Sequence, residues 1–297
     1  MQIDSFETYK KIFESLAKSI LIYASPVYAL QTLEALERVQ TQFYKRILGL
    51  PQSTPGYAVR LETGISHIAL TVFKNTVNWI IKILLMNEKR FPKISLLKQV
   101  SMIKYSENNP KFNWALQVKR IFFEPIERED LWDNLSSASL IAAKQELLNA
   151  YKDHLLRLDK LKKEKTTSLM LYGGIRLKSG CQNYLTLRLP IRLYQAIAQI
   201  RLLNLYNCRL NIEGDIYRFK ENTVCHACNV NNSLFHMIKE CEVFQSKRNS
   251  SLLPMNGECV DLYRILEAPD LKILSKFYMY LKHILYIYGT VIIHQLT

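Results

Sequence analysis

The sequence predicts a mainly α fold: a helical body, a small zinc knuckle and a closing C-terminal helix. Three observations predict it. Glycine and proline are scarce, nine of each in 297 residues, so helix-breaking positions are few. Hydrophobic residues make up 48% of the chain, enough for a sizeable core, and they recur mostly at helical spacing. Finally, Cys225, Cys228, His236 and Cys241 read C-x2-C-x7-H-x4-C, a spacing that suits a small metal-held module.

Taken in order, Thr8 to Leu30 reads as a helix broken near Ser25-Pro26. Leu33, Leu36, Val39, Phe43 and Ile47 form an i, i+3, i+4 stripe. That helix should stop at Gly49, with Pro51 just beyond and Lys45 and Arg46 in its last turn. Ile68 to Leu85 is apolar nearly all round, so it should be mostly buried. Asn109-Pro110 has the composition of a helix start, with Trp114, Val118 and Phe122 on one face until Pro125. A long helix is expected from about Asp130 to Lys163, lined by Leu148, Tyr151, Leu155 and Leu158. Gly173-Gly174 and Ser179-Gly180 mark a turn or small hairpin. They lack the spacing of a phosphate loop. Pro190 opens another helix, with Leu193, Ile197 and Ile200 on its core side. The last helix runs from about Leu271 to Gln295. Its most apolar run, Ile284 to Ile293, is too short to span a bilayer, so no membrane partner is expected.

The formal charge is +14, from 40 basic and 26 acidic residues. From Tyr151 to Lys220 there are fourteen Lys or Arg against five Asp or Glu, a local surplus of +9. Such a surplus favours polyanions, nucleic acid before an anionic membrane surface. Candidate phosphate contacts are Lys45, Arg46, Lys160, Lys162, Lys163, Arg188, Arg192, Arg201, Lys220, Lys239, Lys247 and Arg248. The N-terminus lacks a charged region followed by an apolar run, so no secretory signal is read there. A reducing, intracellular setting is expected, nucleus or cytoplasm, where closely spaced cysteines bind metal rather than pair. Cys181, Cys208 and Cys259 have no partner spacing and read as packing residues.

Three thiolates and one imidazole form a soft, four-member donor set of the kind tetrahedral zinc selects. With all four positions filled by protein, one structural zinc ion is expected and no open position for hydrolysis. His226, between the first two cysteines, should point away from the metal. Phe235 and Phe244 either pack the knuckle or stack on bases, and packing is favoured for Phe235. Scattered carboxylates such as Glu34, Glu37, Glu62 and Asp130 form no acid–base or metal constellation, so the chain is not expected to be an enzyme on its own.

Several runs together resemble the C-terminal region of non-LTR (LINE-type, jockey-like) retrotransposon reverse transcriptases. They are Ser19-Ile20-Leu21-Ile22-Tyr23-Ala24-Ser25-Pro26-Val27-Tyr28, Leu36-Glu37-Arg38-Val39-Gln40, Phe43-Tyr44-Lys45-Arg46-Ile47-Leu48-Gly49-Leu50-Pro51 and Arg60-Leu61-Glu62-Thr63-Gly64. Further along come Ile200-Arg201-Leu202-Leu203-Asn204, Cys208-Arg209-Leu210, the Cys/His pattern and Lys247-Arg248. Tyr28 stands where that family usually carries Trp. The resemblance covers about residues 10–250. It implies a thumb-like helical region at 1–100, a helical linker at 101–165, a basic mixed segment at 166–220, a CCHC zinc knuckle at 221–248 and a helical tail at 249–297. No Asp-Asp pair occurs in the chain, so the two-metal polymerase chemistry of that family has no carboxylates here. The implied role is a non-catalytic grip on template RNA or target DNA. A competing expectation is a scaffold module that docks on a separate polymerase core, and another is a non-functional element remnant.

Overall fold

A computed structural model describes residues 5–103, 113–169, 171–204, 208–219, 224–225, 227–252 and 261–296. Helix accounts for 68% and strand for 5%, so the fold is mainly α as expected. The Asn109-Pro110 helix start, His226, Lys220 and Cys259 lie outside the described residues. Among the described residues no helix is long and apolar enough to cross a membrane.

The chain divides into two compact units, each assembled from separate stretches. One comprises residues 13–41 and 66–161; the other comprises 1–12, 42–65 and 162–297.

The first unit is built around the helix Ile68–Leu84, in which Ile68, Val72, Phe73, Val77 and Ile80 are buried. Its core is aromatic. Phe73 stacks on Phe122 with ring centres 4.8 Å apart, meets Phe123 edge-on at 5.6 Å and meets Tyr151 at 5.0 Å. Phe123 in turn packs on Trp132 at 5.1 Å. Each such pair adds roughly 0.5–1.5 kcal/mol beyond the apolar area it buries.

Local chemistry explains where the expected elements shift. The helix Leu33–Ile47 forms, but Val39 is exposed while Glu37 and Gln40 are buried. The Glu37 carboxylate accepts the backbone N–H of Ile68 at 2.8 Å, and Gln40 donates to the Ser66 carbonyl at 2.9 Å. Two polar side chains are thus tied to the backbone at the start of the helix Ile68–Leu84, and the buried face rotates to admit them. At its far end Gly49 takes φ +64°, and the Leu50 N–H returns to the Lys45 carbonyl at 2.8 Å. This is the Gly-terminated C-cap the sequence predicts. The helix after residue 112 is capped by Asn113, which accepts the Leu116 N–H at 3.0 Å. The single helix expected from Asp130 divides into Asp130–Asp133 and Ser137–Glu164, because Ser136 caps the second by accepting the Ser139 N–H.

The second unit is held by a buried ion pair. Arg201, at the end of the helix Ile191–Arg201, donates to Glu62 of the helix Gly56–Thr63 at 2.5 and 3.3 Å. Its third bond goes to the Leu266 carbonyl at 2.8 Å, at the end of the helix Leu262–Glu267. Gln182 lies alongside and donates to the Leu61 carbonyl. Gly64, at φ +67°, closes the helix Gly56–Thr63 where a Cβ would stand 2.3 Å from the Cys181 backbone nitrogen, so only glycine fits. A two-stranded antiparallel hairpin follows, β1 (Cys208–Ile212) with β2 (Asp215–Phe219). The sequence signals place no hairpin there, and Gly173-Gly174, which they mark as a turn or hairpin, forms a turn.

Candidate metal centre and basic surface

The knuckle is shaped by backbone bonds and by two side chains, Arg248 at its end and Tyr280 from the last helix. The Cys225 N–H donates to the Val230 carbonyl, and the Asn229 N–H returns to the Cys225 carbonyl, both at 2.8 Å. Asn229 sits at φ +56°, a left-handed position that asparagine tolerates. The turn brings Cys228 back beside Cys225. Ser233 then caps the helix Leu234–Lys239 by accepting the His236 N–H at 3.1 Å. That helix ends when both Glu240 and Cys241 donate to the His236 carbonyl at 2.8 Å. The C-terminal carbonyls left over are taken by Arg248, which reaches Ile238 at 3.0 Å and Cys241 at 2.7 Å, and by Tyr280, which reaches Met237 and Ile238 at 3.2 Å. Phe244 is buried and Phe235 half-buried, so both side chains contribute to packing.

These contacts converge the four expected ligands. One donor atom from each of Cys225, Cys228, His236 and Cys241 lies within 4.8 Å of every other. The Cys225 and Cys241 sulfurs are 3.8 Å apart, and those of Cys228 and Cys241 are 4.0 Å apart. A tetrahedral ion with metal–sulfur bonds of about 2.3 Å places its sulfurs about 3.8 Å apart. His236 is 5% exposed, yet among the described residues neither ring nitrogen has an oxygen or nitrogen hydrogen-bond partner. An orphaned buried imidazole is costly unless something coordinates it. The Glu240 carboxylate lies 3.7 Å from Nδ1. The residues therefore fit a metal ion.

Charge points the same way. Burial pushes the Cys225 thiol up, but the Cys228 N–H, the His236 ring and the Ala227 N–H outweigh it and bring it down to about 7. Cys241 is pushed up to about 11, by burial first and then by the Cys225 and Cys228 sulfurs, against the Val243 N–H. The Cys225 and Cys228 sulfurs thus hinder ionisation of Cys241, and a divalent cation removes that conflict. Cys181 and Cys208 stay outside the cluster; burial lifts their thiols to about 11 and about 12.

The candidate phosphate contacts divide. Arg46, Lys160, Lys162, Arg188, Arg192 and Lys247 are exposed, and Lys239 is half-buried. Three others are corrected. Arg201 is 2% exposed and spends its donors on Glu62 and Leu266. Arg248 is 6% exposed and caps the knuckle helix. Lys45 is 8% exposed and donates to the Gln52 carbonyl at 2.8 Å. Lys163 is partly engaged, donating to the Gly173 carbonyl at 3.1 Å. Arg192 stands 3.6 Å from Glu213.

Two arginines not among the sequence candidates stand out. Arg209 and Arg218 are directly opposed across the hairpin, both exposed, on the face away from buried Leu210 and Ile212. The strand alternation of Cys208–Ile212 is the signal that could have paired them. The final helix, Leu271–Leu296, braces both hairpin and knuckle. Tyr288 stacks on Phe219 at 5.0 Å, Tyr278 and Lys282 hold Glu213 at 2.9 and 2.7 Å, and Tyr280 holds the knuckle helix. The chain matches no protein-family model, no curated protein and no solved structure.

Proposed function

We propose that this chain binds nucleic acid through a zinc-held knuckle and the adjoining arginine hairpin, as a non-catalytic part of a non-LTR retrotransposon reverse transcriptase. The observation that carries the binding is the Arg209–Arg218 pair. Like charges directly opposite each other destabilise a hairpin. A phosphodiester between them converts that repulsion into two charge-assisted bonds. The same helix braces the hairpin and the Cys/His cluster, so a strand gripped by one passes a fixed distance from the other. The reverse-transcriptase origin rests on the order of sequence runs given above, and the missing Asp-Asp pair supports a binding role over catalysis. In this reading zinc is a structural ion with all four positions filled by protein.

Fluorescence anisotropy with single-stranded RNA, single-stranded DNA and duplex DNA tests it over a salt series. Affinity should fall steeply with salt, and Arg209→Gln or Arg218→Gln should each reduce the log–log slope by about 0.7 on a single strand. Salt-independent binding, or slopes unchanged in both variants, would contradict the reading.

One observation favours a second reading, a module docking on a separate polymerase core. Leu16, Ile20, Tyr23 and Val27 are 65–81% exposed within one short stretch, a patch of the kind that marks protein contacts. Co-purification with a separately expressed core, lost in Ile20→Glu, would support it; co-purification unchanged in that variant would remove it.

A further inference from the structure

An open cavity of about 630 Å³ lies between the Gly173-Gly174 turn and the helix Leu262–Glu267. Its size falls in the range of roughly 300–1,000 Å³ typical of ligand pockets. Arg176, Arg264, Asp261, Glu267 and Tyr263 line it, with Ala268, Pro269 and Ile273 as the apolar part. In formal charge the two arginines offset the two acids, but their donors and acceptors are used very differently. Asp261 is turned onto its own helix and accepts the Tyr263 and Arg264 N–H groups at 2.9 and 3.3 Å. Glu267 accepts the Arg176 backbone N–H at 2.7 Å. Neither guanidinium has a carboxylate partner among the described residues. Lys163 adds a third positive charge at the margin, donating to Gly173 beside lining Gly174.

The cavity is also built on firm supports. Arg201 holds the Leu266 carbonyl from the buried side at 2.8 Å. The turn lies so close to Tyr263 that a Cβ on Gly174 would meet the ring at 2.8–2.9 Å. Glycine there lets the backbone set the ring as one wall. Unused guanidinium donors beside a fixed aromatic face suit a phosphate attached to a ring system.

We propose that this cavity binds a nucleotide, with Arg176 and Arg264 on the phosphate and the Tyr263 ring against the base. The site lies outside the knuckle and the hairpin; it rests on the nucleic-acid reading only for the choice of a nucleotide as ligand. The test is calorimetry on the full zinc-loaded chain with uridine 5′-monophosphate, uridine and inorganic phosphate. Saturable binding of the monophosphate is expected, weakened roughly tenfold in each of Arg176→Gln and Arg264→Gln. Uridine should not bind measurably, phosphate should bind more weakly than the monophosphate, and Gly174→Ala should weaken the monophosphate but not phosphate. Arg209→Gln should leave all three unchanged. No saturable binding, affinities within twofold of wild type in both arginine variants, or uridine binding as tightly as its monophosphate would each overturn the proposal. If oligonucleotides bind and respond to Arg209→Gln while the monophosphate does not bind, the cavity proposal falls and the knuckle reading stands. If the monophosphate binds and oligonucleotides do not, the cavity stands and the knuckle reading falls.

Discussion

The two units solve the same problem with different chemistry. In residues 13–41 and 66–161, Phe73, Phe122, Phe123, Trp132 and Tyr151 interlock ring on ring. The other unit buries polar groups among its apolar ones: Arg201 with Glu62, Gln182 against the Leu61 carbonyl, and Arg248 against the carbonyls of the knuckle helix. The apolar burial of the rings is non-directional and survives small shifts. A buried ion pair or a four-ligand cluster fails when one partner is lost. The comparison teaches that the unit carrying the Cys/His cluster is the brittle one, because its ion pair and its cluster depend on geometry that apolar packing around them does not replace.

Removing the metal should produce the largest difference between the units. A structural zinc site contributes roughly 10–16 kcal/mol of apparent folding energy in small modules. Chelation should therefore abolish hydrogen-exchange protection over residues 227–252 and leave the helix Ile68–Leu84 protected. Equal loss in both would erase the contrast.

Single substitutions come next. Glu62→Gln strands the buried Arg201 charge and should cost about 3–5 kcal/mol, measured by urea unfolding. Replacing both partners by Leu and Met should recover much of that loss, because the desolvated charges go together. Phe73→Ala should also cost about 3–5 kcal/mol, yet Phe73→Leu should recover most of it. The polar site is thus expected to need paired replacement, where the aromatic site tolerates a single one.

A smaller effect depends on pH. The Lys282 ammonium and the Tyr278 hydroxyl hold the Glu213 carboxyl below its ordinary 4.5. A depressed pKa means the carboxylate stabilises the hairpin contact fully above about pH 4.5 and loses that contribution as pH falls through its lowered value. The Tm difference between wild type and Glu213→Gln should be modest at pH 7 and vanish at strongly acid pH. A difference that persists there would place the contact's strength elsewhere.

The aromatic unit is the easier one to read from sequence. Apolar periodicity places Ile68–Leu84 there. Long-range side-chain bonds are harder: Glu37 and Gln40 are buried where the stripe predicts Val39, because both bond the backbone at the start of Ile68–Leu84. In the other unit the Cys/His ligands are legible, since metal geometry fixes their spacing locally. The arginines are not. Nothing local distinguishes Arg201, whose partner lies 139 residues away, from an exposed arginine such as Arg188. The hairpin is hidden in the sequence because its turn is Glu213-Gly214, both at positive φ, and lacks the Asn-Gly or Asp-Gly that usually marks such turns.

The proposed function requires that Cys225, Cys228, His236 and Cys241 close around one zinc ion. Zinc X-ray absorption on the purified chain, paired with native mass spectrometry, tests it most directly. One ion per chain is predicted, with three sulfurs at about 2.3 Å and one nitrogen at about 2.0–2.1 Å, and loss of the ion in Cys241→Ser. A chain that binds no zinc at equimolar metal, or binds it equally well in Cys241→Ser, would contradict it.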